Sequence, residues 1–181
     1  MKAIVCEEFA PVEQLKYQDM PDPVAKKGHV VVDVKACGVN FPDGLLVQGL
    51  YQMKPPFPFT PGNEVSGVIT ELGEGVPHLR VGMRVIAMCM LGGYAEKVLC
   101  PATHIMPIPN EIPDEEAAAL VTAHATAHHA LKQRAQIQPG ETLLVTGAAG
   151  GTGLAAVQIG KEMGAKVIAV CSTQEKLDMA K

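Results

Sequence analysis

With 181 residues, 48% of them apolar, the chain is long enough for one large domain, or for one domain and part of another. Fifteen Lys and Arg against nineteen Asp and Glu give a formal charge of −4, so charge gives no case for nucleic acid or an anionic membrane as partner. No apolar run is long enough to cross a bilayer, and the opening MKAIVCEEF has neither a secretory apolar core nor an Arg- and Ser-rich transit character. The five cysteines, Cys6, Cys37, Cys89, Cys100 and Cys171, form no C-x-x-C pair. They read as mostly buried, reduced thiols, and the chain as cytoplasmic.

In chain order, the first hundred residues read as β-rich. Short β-branched runs recur at 3–6, 30–36, 65–72, 85–90 and 95–99, with Gly and Pro between them. Closely spaced strands of this kind predict a small barrel or sandwich. One or two helical turns are expected at 43–48. Residues 54–62 carry Pro55, Pro56, Pro58 and Pro61. Proline lacks an N–H donor, so a stiff loop outside any strand ladder is expected there. At Pro113-Asp114-Glu115-Glu116 the pattern changes to a helix start, with Pro and acidic residues where the helix dipole favours them. An Ala-rich helical region should follow to about Ala135, with a possible break near Thr122. The domain boundary is expected within 118–126, which assigns 1–122 to the first domain and 123–181 to the second. Gln138-Pro139-Gly140-Glu141 marks a turn.

Residues 143–170 read as strand, glycine-rich turn, helix and second strand. Within Gly147-Ala148-Ala149-Gly150-Gly151-Thr152-Gly153, the dinucleotide pattern fits as Ala148-x-Gly150-x-x-Gly153, with alanine in place of the first glycine. Gly150 is expected to let the backbone approach a pyrophosphate, and Gly153 to let helix and strand pack closely. The flanking strand and helix make this more specific than a lone glycine motif. The turn, with Gly151 and Thr152 included, is therefore the candidate cofactor-binding segment. A site that prefers NAD usually carries an Asp or Glu at the end of the second strand. Here Cys171, Ser172 and Thr173 are uncharged and Lys176 follows one helical turn later, which favours NADP(H). The alternative for Lys176 is an ordinary exposed lysine.

These segments, with Gly38-Val39-Asn40-Phe41-Pro42-Asp43, Gly49-Leu50-Tyr51, Pro61-Gly62-Asn63-Glu64-Val65-Ser66-Gly67 and Gly92-Gly93-Tyr94-Ala95-Glu96, resemble the medium-chain dehydrogenase/reductase superfamily over the whole chain. Within it they are most similar to the zinc-free quinone oxidoreductase branch, which includes zeta-crystallin and the quinone oxidoreductase-like proteins. The resemblance implies an α/β protein with a β-rich domain. In it, a GroES-like β-barrel catalytic domain precedes a Rossmann domain, a doubly wound parallel sheet that is truncated here. Zinc alcohol dehydrogenases of the superfamily place Cys where this chain has Asn40, and His where it has Asn63. Asparagine is a poor zinc ligand. His124 and His128 lie four apart on the expected helix, without a third or fourth ligand in the sequence, so no metal is expected.

Without a Lewis acid, hydride transfer to a quinone or an activated C=C fits better than alcohol chemistry. The resemblance implies catalytic positions at Asn40, Asp43 and Tyr51 and a nicotinamide-side position at Thr126. Asn40 and Asp43 would serve equally as helix caps, and Tyr51 as packing on the proline loop. Two other functions compete with the quinone reductase: a non-catalytic NADPH-binding or interaction protein, and an enoyl-thioester reductase with Tyr51 as proton donor. One β-α-β unit cannot bury enough surface for a stable sheet domain. The chain is therefore expected to be an incomplete version of a longer protein, binding NADP(H) poorly by itself. That longer protein is expected to be a homodimer acting on a small quinone or enone.

Overall fold

The β-branched runs form the strands they predict, and the computed structural model, which describes residues 1–181, places them in the first of two units, Met1–Ala119 and Leu120–Lys181. In the first unit β1 (Lys2–Val5) and β2 (Lys16–Asp19) make an antiparallel ribbon. Strands β3 (His29–Cys37), β4 (Glu64–Leu72), β5 (Arg84–Met88), β6 (Lys97–Pro101) and β7 (Ile105–Pro107) form an antiparallel sheet in the order β6-β3-β4-β5-β7. The sequence pattern did not show β2 and β7. The residues of β2 are mostly exposed, and β7 spans only three residues.

The two edge strands of this sheet, β6 and β7, are joined by a single 3-10 turn, Ala102–His104. The sheet must therefore curl until its edges approach. The Cys100 thiol on β6 lies 3.4 Å from the Met88 carbonyl at the end of β5, and a His104 ring nitrogen lies 3.2 Å from the same oxygen. The result is barrel-like in curvature, with no closed ladder of strands. Val30, Val32, Val65, Ile69, Val85 and Val98 fill its interior. The proline-dense segment stays out of the sheet with one correction. Phe59, which is not a proline, exchanges two backbone hydrogen bonds with Cys6 at 2.8 and 3.1 Å.

Helix α1 (Phe41–Val47) follows β3, and α2 (Asp114–Ala118) begins after Pro113 with the expected acidic first turn. The segment leading into α2 is tied to the sheet by Arg84 on β5. Its guanidinium donates to the carbonyls of Pro109, Asn110 and Ile112 at 2.7–3.0 Å and to the Asp114 carboxylate at 2.8 Å. The buried Ser66 hydroxyl donates to the Asp114 carbonyl at 2.6 Å.

The Ala-rich region breaks at Ala119-Leu120, close to the interruption expected near Thr122, and in the second unit it is helical throughout 121–134. There its turns widen. Val121–Ala125 and His129–Arg134 are π-helical, on either side of α3 (Thr126–His128). After the turn at 138–141, β8 (Thr142–Thr146), α4 (Gly151–Glu162) and β9 (Lys166–Val170) form the expected parallel unit, and α5 (Gln174–Met179) follows. Val145, Ala148, Val157 and Ala180 form its small buried cluster. The opposite sheet face leaves Leu144, Ile168 and Val170 exposed. A β-rich lobe followed by a parallel β-α-β unit is the fold class read from the sequence.

Candidate active-site residues and cofactor cradle

The chain leaves β8 and reverses into α4 at Gly147, whose φ of +64° lies in the region side chains avoid. Gly150 caps α4, donating to the Gly147 carbonyl at 2.9 Å and accepting from Leu154 at 2.7 Å. A Cβ at Gly153 would sit 2.2 Å from the Gly147 oxygen, so the helix can rest on the turn only with glycine there. At Gly150 the same oxygen would be 3.3 Å away, which the fold can absorb. The first-turn amides of a helix have no partner within it, and its dipole attracts an anion to them. In α4 those amides belong to Gly151, Thr152 and Gly153.

Beside this turn lies a cavity of about 700 Å³, within the range of small-ligand sites. Gly147, Gly150, Cys171, Ser172, Lys176 and Met179 are among the residues that line it, and the lining holds no carboxylate. Thr173 caps α5 by accepting the Lys176 N–H at 3.3 Å. That cap sets Lys176 one turn into the helix, with its ammonium 3.5 Å from the Ser172 hydroxyl. The pair presents a positive charge and a hydroxyl to the cavity, a combination suited to a phosphate.

The cofactor residues predicted from sequence therefore divide. Gly150, Ser172 and Lys176 line the cavity, and Gly151 and Thr152 are exposed at the start of α4. Ala148 is fully buried in the unit's core, so its side chain meets no ligand, and the left-handed residue of the turn is Gly147 instead. Thr126 is exposed on α3, outside the cavity lining. Met179 and Gly147 line the cavity without having been singled out. Met179 had no motif to mark it.

In the first unit, Asn40 and Asp43 form a reciprocal capping box at the start of α1. The buried Asp43 carboxylate accepts the Asn40 N–H at 2.9 Å and the Tyr94 hydroxyl at 2.9 Å. The Asn40 side-chain amide donates to Asn63 Oδ1 at 3.1 Å and to Glu64 Oε1 at 2.9 Å. Asn40 and Asn63 are thus bonded to each other. No three His, Cys, Asp or Glu side chains are grouped to hold a metal ion. His124 instead meets Gln158 at 3.2 Å, and His128 is exposed.

Burial and the neighbouring Asp43 carboxylate push the Tyr94 hydroxyl well above its ordinary range, so it keeps its proton. Burial, with Asp43 and Glu64 nearby, pushes the Cys37 thiol up to about 12. Tyr51 is half-buried against the apolar cluster of Cys6, Leu46, Val47 and Phe59, with Phe59 supplied by the proline-dense loop. Tyr94 and Glu64 are the network members that sequence reasoning passed over. Both stood in visible motifs, but their partners lie 51 and 24 residues away.

The alcohol dehydrogenase GroES-like domain matches residues 26–110. Quinone oxidoreductase-like protein 2 of Rattus norvegicus is 42% identical over 181 residues, covering 99% of this chain and 51% of that protein. The structure of Escherichia coli quinone oxidoreductase complexed with NADPH superposes with a TM-score of 0.95 at 31% identity, over 99% of this chain and 55% of that one. CurK enoyl reductase gives a TM-score of 0.89 at 30% identity, over 99% of this chain and 57% of that one. The chain spans about half the length of the curated relatives it matches. A GroES-like lobe ahead of a glycine-turn β-α-β unit, matched over nearly every residue, places the chain in the medium-chain dehydrogenase/reductase superfamily, on its quinone oxidoreductase branch.

Proposed function

We propose that the protein represented by this chain is an NADPH-dependent oxidoreductase that passes hydride to a quinone or another activated C=C acceptor, without zinc. The observation that carries the reading is the Lys176–Ser172 pair on a cavity that also reaches Gly150 at the start of α4. The residues fit the cofactor. The amides of 151–153 would hold its pyrophosphate, and Ser172 and Lys176 its 2′-phosphate. A carboxylate in the lining would repel that phosphate, and none is present there. When bound, the cofactor supplies the hydride. The E. coli relative, solved with NADPH, supports this assignment.

The asparagines at the two zinc positions support chemistry that needs no metal, because an amide binds zinc poorly beside thiolate or imidazole. An acceptor that is already electrophilic needs orientation more than Lewis acidity. Asn40 is the residue we place against the ligand, with Asp43 setting the helix start on which Asn40 sits. Steady-state oxidation of NADPH with a benzoquinone and with an enone tests the proposal. Acceptor-dependent turnover that favours NADPH over NADH is expected. NADPH bound without turnover of either acceptor would contradict it.

A second reading, an enoyl reductase, draws on the likeness to CurK and on Tyr51, whose phenol is a proton donor of the right kind. Under that reading Tyr51→Phe slows enoyl reduction far more than quinone reduction.

A further inference from the structure

A site selects one ribose phosphate over its positional isomer only if it fixes where the phosphate lies or reads the neighbouring hydroxyl. The cavity beside the glycine turn does neither. Its one cation, Lys176, is exposed and lies 3.5 Å from the Ser172 hydroxyl, at the long limit of a hydrogen bond. A lysine ammonium is a point charge with rotatable donors on a flexible stem, whereas a guanidinium would impose a planar, bidentate fit. Lys176 therefore reads the charge of a phosphate more than its position. Ribose hydroxyls are usually read by an Asp or Glu, and the lining contains neither. Room is present as well. A Cβ built on Gly147, at the cavity wall, meets no atom within 4 Å. Val170 and Met179 add apolar surface that fits a base without reading its sugar.

We infer that the cavity accepts an adenosine diphosphate carrying a phosphate monoester on either ribose hydroxyl, so that coenzyme A, the 3′-phosphorylated member of this class, competes with NADPH for it. This rests on the reading that the cavity holds the phosphorylated adenosine half of NADPH. The two ligands share the adenosine, the 5′-diphosphate and a monoester phosphate on adjacent ribose carbons. At neutral pH that monoester carries about two negative charges in either place. The amides of Gly151, Thr152 and Gly153 offer a diphosphate the same donors whatever group lies beyond it. Coenzyme A, free or as a thioester, then excludes NADPH without any chemistry at the site and ties its occupancy to the supply of acyl thioesters.

Parallel 1H–15N titrations of the full chain with NADPH, NADH, coenzyme A and dephospho-coenzyme A, under reducing conditions, test the inference without any turnover. Dephospho-coenzyme A keeps the thiol and the diphosphate and lacks only the 3′-phosphate. Coenzyme A should move the amides of 150–153, Ser172 and Lys176. It should bind about tenfold more tightly than dephospho-coenzyme A, as NADPH does over NADH, and it should displace bound NADPH. Lys176→Met should remove both preferences while the other backbone resonances stay in place. A preference for NADPH over NADH, with coenzyme A and dephospho-coenzyme A bound alike or not at all, would overturn the inference and leave the cofactor reading standing. So would a coenzyme A preference that survives Lys176→Met, or coenzyme A binding that does not displace NADPH. No preference for NADPH over NADH would overturn the cofactor reading itself, and the inference with it.

Discussion

Under the proposed function, Lys176 is the residue whose charge separates the two nicotinamide cofactors. It contacts Ser172 at 3.5 Å and lines the cavity. A charge-assisted contact to phosphate contributes about 1.5–3 kcal/mol, so Lys176→Met should weaken NADPH binding by about tenfold or more and leave NADH nearly unchanged. Isothermal titration with both cofactors checks this, and equal losses would return Lys176 to the class of ordinary surface lysines. Two thiols make a pH prediction. Burial raises Cys37 and Cys100 from an ordinary 9.0 to about 12. The folded chain then holds these protons more tightly than the unfolded one, so their contribution to stability is full below pH 9 and is lost as pH rises toward 12. Urea unfolding at pH 8 and at pH 10.5 should show the decline, and Cys100→Ala should reduce it. The Lys176 position was legible because the pattern that names it is local. The Asp43–Tyr94 and Asn40–Glu64 bonds were not, since they depend on how distant strands and loops come together, which no local spacing encodes.

At the level of elements, the glycine turn and the Arg84 clamp do different work. Gly153→Ala forces a methyl against a backbone oxygen at 2.2 Å and should destabilise the second unit by about 3 kcal/mol. Gly150→Ala meets the same oxygen at 3.3 Å, so the fold should survive while the phosphate approach closes. Thermal melts with and without NADPH separate the two variants. An unchanged NADPH response in Gly150→Ala would contradict the cradle. Arg84→Met removes hydrogen bonds to three carbonyls and one carboxylate and should cost the first unit about 2–3 kcal/mol in urea unfolding. Long β-branched runs and the flanked glycine turn announced their elements. The widened turns of Val121–Ala125 and His129–Arg134 did not, because alanine-rich sequence favours helix without specifying which carbonyl each N–H chooses. Short edge strands such as β7 are defined by their partner β5 more than by their own three residues.

Across the whole molecule the two units differ in how much core they hold. The first wraps a sheet around a large valine-rich interior. The second has a two-stranded parallel sheet, covered by α4 on one face, with Leu144, Ile168 and Val170 exposed on the other. Parallel sheets are normally covered on both faces, so the second unit should open at lower urea than the first. Amide exchange followed across the denaturant range reads both units at once, and simultaneous opening would contradict the expectation. In the proposed complex a nucleotide diphosphate rests on the amides at the start of α4, with its added phosphate at Ser172 and Lys176. The direct test is a 1H–15N titration of the chain with millimolar NADPH and, in parallel, NADH. NADPH is expected to move the amides of 150–153 together with those of Ser172 and Lys176, and NADH to move the first group more weakly and the second hardly at all. Resonances at 150–153 that stay in place while NADPH shifts others, or that stay in place with no shifts anywhere, would contradict it.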